Sequence, residues 1–192
     1  MNNLTKLPIL ILSSPRTGST AFGSYIKSLF DDSVQFFLEP DYTGTLPKFQ
    51  QYYNSNNKFI LKCHLYNLHQ YGNNIATELS YSDAVFRIRI RKRDVISQIA
   101  SFYIAKCRNN KWHYRHSAET KRVDTIPIDL EKLNFCVRYI IDNNKILDDT
   151  DIIFDEDLFY EDIEYFDNKT YYKTPQPDNY KDILVHIKKI LD

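Results

Sequence analysis

Cysteine is too scarce and too scattered here to build either a disulfide framework or a zinc site. Cys63, Cys107 and Cys136 are odd in number and widely spaced, which suits small core positions in a reducing compartment. Long apolar runs are missing as well. Leu7 to Leu12 is too short for a signal segment and is soon followed by Arg16, and no stretch approaches the ~20 residues that span a bilayer. Net charge is absent, with 25 Lys and Arg against 25 Asp and Glu, so no overall field draws the chain toward nucleic acid or an anionic membrane. Internal repeats and low-complexity linkers are lacking too. What remains fits one soluble, cytoplasmic domain over residues 1–192, with 43% hydrophobic and 15% aromatic residues to fill its core.

A further absence is more pointed. The segment Ile9-Leu10-Ile11-Leu12-Ser13-Ser14-Pro15-Arg16-Thr17-Gly18-Ser19-Thr20 carries an apolar run into a hydroxyl-rich loop. A helix pattern follows at Ala21, Phe22, Tyr25, Ile26, Leu29 and Phe30. A Walker A loop needs lysine before its Ser or Thr, and Gly18 stands there instead. The loop still opens a helix, where free backbone N–H groups and the positive dipole end favour phosphate or sulfate. Gly18 lets backbone approach a ligand, Ser14, Thr17, Ser19 and Thr20 offer hydroxyl and backbone donors, and Arg16 offers a planar charged fork. A capped turn between a buried strand and a buried helix is the competing account.

Short apolar runs at Pro8 to Ser13, Val34 to Leu38, Phe59 to Cys63, Ala84 to Ile90 and Asp151 to Phe154 read as strands. Helical patterns cover Asp94 to Cys107, Asp129 to Leu147 and Tyr180 to Leu191. This alternation predicts an α/β domain in three layers, with a mostly parallel central sheet flanked by helices. In such a fold, ligands bind beyond the carboxyl ends of the strands. Arg87, Arg89 and Arg91 alternate along one strand face, which either pairs with the acidic stretch Asp148 to Asp167 or lies open near an edge. No cluster of metal ligands stands out.

A second constellation begins at Arg93-Asp94. At ~100° per residue, Arg93, Ser97 and Ser101 share one helix stripe, so a guanidinium and a hydroxyl two turns on form a second candidate anion site. An ordinary exposed helix face is the alternative.

These residues resemble the sulfotransferases that use 3′-phosphoadenosine 5′-phosphosulfate (PAPS). Their 5′-phosphosulfate loop is similar to Ser14-Pro15-Arg16-Thr17-Gly18-Ser19-Thr20, and their 3′-phosphate motif, an arginine followed eight positions later by serine, is similar to Arg93 and Ser101. Arg93-Asp94, Ser101 and Trp112 resemble the trehalose 2-sulfotransferase-like branch, and Ile153 to Leu158 resembles a late segment of many sulfotransferases. The resemblance implies a P-loop-like fold and sulfuryl transfer from PAPS, without a metal, to an acceptor hydroxyl on a carbohydrate or small metabolite. It leaves a homodimer open. Glu39, in Leu38-Glu39-Pro40, resembles the glutamate base of the trehalose-type branch. Lys62 and His64 resemble the lysine-x-histidine of the cytosolic branch, where histidine is the base and lysine assists the transferring group. Both candidate bases follow strands. Lys169 and Lys173 stand in for a lysine-rich cofactor loop of the cytosolic enzymes. Trp112, with Tyr103, His113, Tyr114 and His116, is a candidate to stack on adenine or acceptor, core packing being the alternative.

Two rivals remain. One is a P-loop kinase or hydrolase, with Ile152 to Glu156 as a Walker B strand. The other is a catalytically inactive nucleotide-binding module.

Overall fold

The structure, a computed structural model, describes residues 6–39, 46–55, 58–66, 74–108, 125–163 and 176–192. Five strands form one all-parallel sheet: β1 (Ile9–Ser13), β2 (Gln35–Leu38), β3 (Phe59–His64), β4 (Phe86–Arg91) and β5 (Glu156–Phe159). Their order is β2-β3-β1-β4-β5. The helices are α1 (Ser19–Ser28), α2 (Leu46–Ser55), α3 (Asn74–Tyr81), α4 (Val95–Cys107), α5 (Leu130–Asp148) and α6 (Tyr180–Leu191). This is the expected α/β architecture with helices flanking a parallel sheet.

The two sheet faces follow from strand alternation. Ile9 and Ile11 of β1, with Ile60, Ile88 and Ile90, pack against Phe22 and Ile26 of α1. Leu10, Leu12 and Leu61 point the other way, toward Phe49 of α2, Ala76 and Leu79 of α3 and Leu147 of α5. A third cluster joins α4, α5 and α6 through Ile99, Tyr103, Leu133, Ile140, Ile183 and Ile187. Strand β1 is buried throughout, and apolar from Ile9 to Leu12, because parallel sheets are buried on both faces. Asp94 caps α4 by accepting from the Ser97 N–H at 2.9 Å, and Asp129 caps α5 by accepting from Lys132 at 3.0 Å, so both helices begin one residue after the aspartate. α2 and α3 go unnamed in the sequence pattern, although Phe49, Tyr52 and Tyr53 carry helical spacing.

One expected strand is misplaced. Asp151 to Phe154 is not extended ladder; the strand is Glu156–Phe159. Charge sets this register. β4 offers arginines on alternate positions, and only the later segment places acids across from them. Asp155 N–H donates to the Arg87 carbonyl at 2.9 Å, and the Asp155 carboxylate accepts from the Arg87 N–H at 2.7 Å. Arg89 pairs with Asp157, its register partner. Ile152 and Phe154 instead pack into the core beside α5. The arginine face therefore pairs with the acidic stretch, and β4 is an interior strand.

Candidate active site

β1 lies at the sheet's switch point, since the chain leaves it toward β2 on one side and later builds β4 on the other. The loop after β1 opens at the carboxyl edge, beside the ends of β3 and β4, because Ser13 is in register with both His64 and Ile90.

Within the loop most hydroxyls serve the loop itself. Ser14 is buried; its Oγ donates to Asn144 Oδ1 at 2.5 Å and accepts from Gln98 Nε2 at 2.8 Å. Thr17 is fully buried and donates to the Ser14 carbonyl at 3.1 Å. Ser19, the first residue of α1, accepts from Ser13 Oγ at 2.8 Å. Thr20 is half-buried and lies outside these internal bonds. Gly18 adopts φ 75°, and a Cβ there would overlap the ring of Tyr160, which follows β5. Its small size thus admits the Tyr160 ring, rather than only a ligand as the sequence suggests.

Arg16 has φ 64° and Glu39 has φ 42°; among the described residues they are the non-glycine residues with positive φ. Such conformations cost of order 1–3 kcal/mol each and gather at functional sites. The Arg16 guanidinium is brought to α4, where Nε donates to Ser101 Oγ at 2.9 Å, and burial lowers its pKa from the ordinary value.

Glu39, Lys62 and His64 come together on the α1 side of the sheet. β2 pairs with β3 so that Leu38 is opposite Lys62, and the Glu39 N–H donates to the Lys62 carbonyl at 2.8 Å. Strand alternation places Lys62 and His64 on one face, in line with Ile60. The Lys62 ammonium contacts the Glu39 carboxylate directly. His64 Nε2 lies 2.9 Å from Lys62 Nζ and 2.9 Å from Glu39 Oε1, and Nδ1 lies 3.1 Å from the Ser13 carbonyl. The Ser13 carbonyl and the Glu39 carboxylate can only accept, so a protonated ring donates to both, through Nδ1 and Nε2, whereas a neutral ring with its proton on Nδ1 keeps the Ser13 bond and accepts from Lys62 through Nε2.

The electrostatics follow from burial. For Glu39, burial pushes the carboxyl up, but the Lys62 charge, the His64 charge and their hydrogen bonds together hold it well below the usual range. Burial lowers Lys62, with Glu39 opposing. Burial and then the Lys62 charge push His64 down, and Glu39 only partly offsets them. Glu39 is thus held as a carboxylate and His64 as a neutral imidazole at neutral pH, while burial makes the Lys62 ammonium easier to deprotonate.

The second constellation is not assembled as its spacing suggests. Ser101 belongs with Arg16. The half-exposed Arg93 forks onto Asp162, at 2.5 and 2.6 Å, and lies over the Phe159 ring at 4.1 Å. Glu161 accepts from the backbone N–H groups of Arg93, at 3.1 Å, and Asp94, at 3.2 Å. Tyr103 is fully buried; its hydroxyl donates to the Pro127 carbonyl and accepts from the Asp129 N–H, each at 2.8 Å, so it anchors the entry to α5. Trp112, His113, Tyr114, His116, Lys169 and Lys173 lie outside the described residues. Gln98, Asn144 and Tyr160 are the participants that sequence patterns miss, since nothing in spacing shows which helix faces a loop.

Among the described residues no group of His, Cys, Asp and Glu side chains is placed to hold a metal, and no helix is long and apolar enough to cross a membrane. Compared with family models, curated proteins and solved structures, the chain matches none.

Proposed function

We propose that this protein is a PAPS-dependent sulfotransferase acting in the cytoplasm on an acceptor hydroxyl of a carbohydrate or small metabolite. The observation that carries the reading is the double role of Ser13. Its hydroxyl donates to Ser19 at the mouth of the anion loop, and its carbonyl meets His64 at 3.1 Å. An anion cradle and an acid–base trio therefore share one residue. The donor set suits a phosphosulfate: the loop after β1 offers the Arg16 guanidinium and the N-terminal N–H groups of α1, and Ser13, just before that loop, meets His64 beside the Lys62 ammonium.

In the transfer, the acceptor oxygen attacks sulfur while the bond from sulfur to the 5′-phosphate oxygen breaks, leaving adenosine 3′,5′-bisphosphate. Negative charge grows on that leaving oxygen, where Arg16 and the loop N–H groups stabilise it. Glu39 takes the acceptor proton. Its carboxylate is a weak base while Lys62 touches it; when Lys62 turns to the transferring group, a buried carboxylate is left uncompensated and its basicity rises. His64, anchored on Ser13, holds Lys62 and Glu39 in line.

A kinase or hydrolase is less well supported. The acids of the Walker B-like segment lie at the amino end of β5, where Asp155 is bound to Arg87, three positions along the register before Ser13 is reached.

Calorimetric titration separates the readings. The sulfotransferase binds adenosine 3′,5′-bisphosphate without metal and does not bind ATP; magnesium-dependent ATP binding overturns it. Bisphosphate binding with no sulfate transfer across a broad acceptor screen marks the inactive module. Arg16→Ala should lower turnover more than bisphosphate affinity, because the residue's best contact forms as charge develops.

A further inference from the structure

The anion loop is held by a closed ring of hydrogen bonds drawn from three separate elements. Ser14 Oγ donates to Asn144 Oδ1 at 2.5 Å, Asn144 Nδ2 donates to Gln98 Oε1 at 3.2 Å, and Gln98 Nε2 donates back to Ser14 Oγ at 2.8 Å. Each member gives one hydrogen and accepts one, an arrangement in which each bond polarises the next. The second hydrogen of Gln98 Nε2 reaches the Pro15 carbonyl at 2.6 Å. That contact fixes the amide orientation, because a flipped Gln98 would set oxygen against oxygen. Gln98 is fully buried, so an unmatched loop carbonyl or amide here would lose its partner without gaining water.

The ring sits immediately before Arg16. Gln98 grips Pro15, and Ser101, three residues later on the same face of α4, receives the Arg16 Nε–H. One helix therefore holds both the backbone that enters the left-handed turn and the guanidinium that leaves it.

We propose that Gln98 and Asn144 are positioning residues of the anion loop, locking Ser14 and Pro15 so that Arg16 is presented in one orientation to the bound anion. The role of the anion rests on the sulfotransferase reading; the locking of Arg16 does not. Gln98→Met keeps the side-chain length and removes both donors. It should leave a cooperatively folded protein whose Arg16 Nε–H exchanges freely with water. Its affinity for adenosine 3′,5′-bisphosphate should fall by about 10-fold or more, the scale on which outer partners of binding groups act, while His64 titrates as in the parent. Asn144→Leu should act in the same direction. Retained protection of the Arg16 Nε–H, with affinity within twofold of the parent, would overturn the assignment. If Gln98→Met does not fold, Ser14→Ala opens the same ring at the loop and the same two readouts decide. If the parent itself fails to bind the bisphosphate, the sulfotransferase reading falls, and Arg16 Nε–H exchange still decides the positioning role.

Discussion

Two ionic regions lie on one sheet and behave as opposites. On the β2–β3–β1 side, Glu39, Lys62 and His64 form a compact trio whose side chains are 16%, 2% and 12% exposed. On the β4–β5 side, Arg87, Arg89, Arg91 and Arg93 run toward solvent, paired with Asp155, Asp157, Asp148 and Asp162. Exposure of those side chains climbs to 52% for Arg93 and 58% for Asp162. The second region has more ion pairs and the first has the stronger mutual pKa shifts. Charges removed from water interact strongly and shift one another's proton affinity, whereas exposed pairs are screened and worth little. The ladder sets strand register; the trio couples the proton affinities of its members.

The sharpest way to break this contrast is Lys62→Met. A buried carboxylate without its ammonium should cost about 3–5 kcal/mol in denaturant unfolding. The cost should shrink as pH falls, because Glu39 or neighbouring His64 then takes up a proton in the fold. Glu39→Gln should cost less, since Lys62 can discard its proton. Equal, small costs for both would mean the trio is as solvent-coupled as the ladder.

The next effect is pH-dependent. His64 is held below its ordinary value of 6.5. The unfolded chain therefore gains a proton below pH 6.5 that the folded state refuses, so stability from the neutral ring is complete above that pH and declines as pH drops toward the folded value. The slope reaches at most about 1.4 kcal/mol per pH unit. Glu39 contributes chiefly below pH 5, because its ordinary value is 4.5 and its value in the fold lies lower still. His64→Gln should flatten the melting temperature over that window; an unchanged slope would remove His64 from the trio's titration.

The smallest effects belong to the ladder. Asp157→Asn should cost about 0.5–1 kcal/mol, and the difference from the parent should fade in high salt. Asp162→Asn should leave the melting temperature unchanged while releasing Arg93, so adenosine 3′,5′-bisphosphate should bind more tightly if Arg93 is an anion ligand. Unaltered affinity would confine Arg93 to its stacking on Phe159.

The strands β1 to β4 and the loop after β1 are legible in the chain because apolar runs and their interruptions are local properties. So are Asp94 and Asp129 as helix starts, since a capping side chain bonds within its own turn. β5 is not legible: the segment Ile152 to Phe154 carries the stronger apolar signal, and only the arginines of β4, more than sixty residues away, pull the ladder onto Asp155 and Asp157. The same limit explains Ser101, which spacing assigns to Arg93 and packing assigns to Arg16.

By itself, then, the order of residues determined the parallel α/β plan and the place of the hydroxyl-rich loop with Arg16, because hydrophobic period and loop composition act over a few residues, while Glu39, Lys62 and His64 are picked out through the resemblance to sulfotransferases. The tertiary structure alone decided that Lys62 joins Glu39 to His64, that Gln98 and Asn144 clamp Ser14, and that Tyr160 closes over Gly18. Each of those contacts spans elements distant in the chain, and burial, which no local pattern supplies, is what turns them from neighbours into partners.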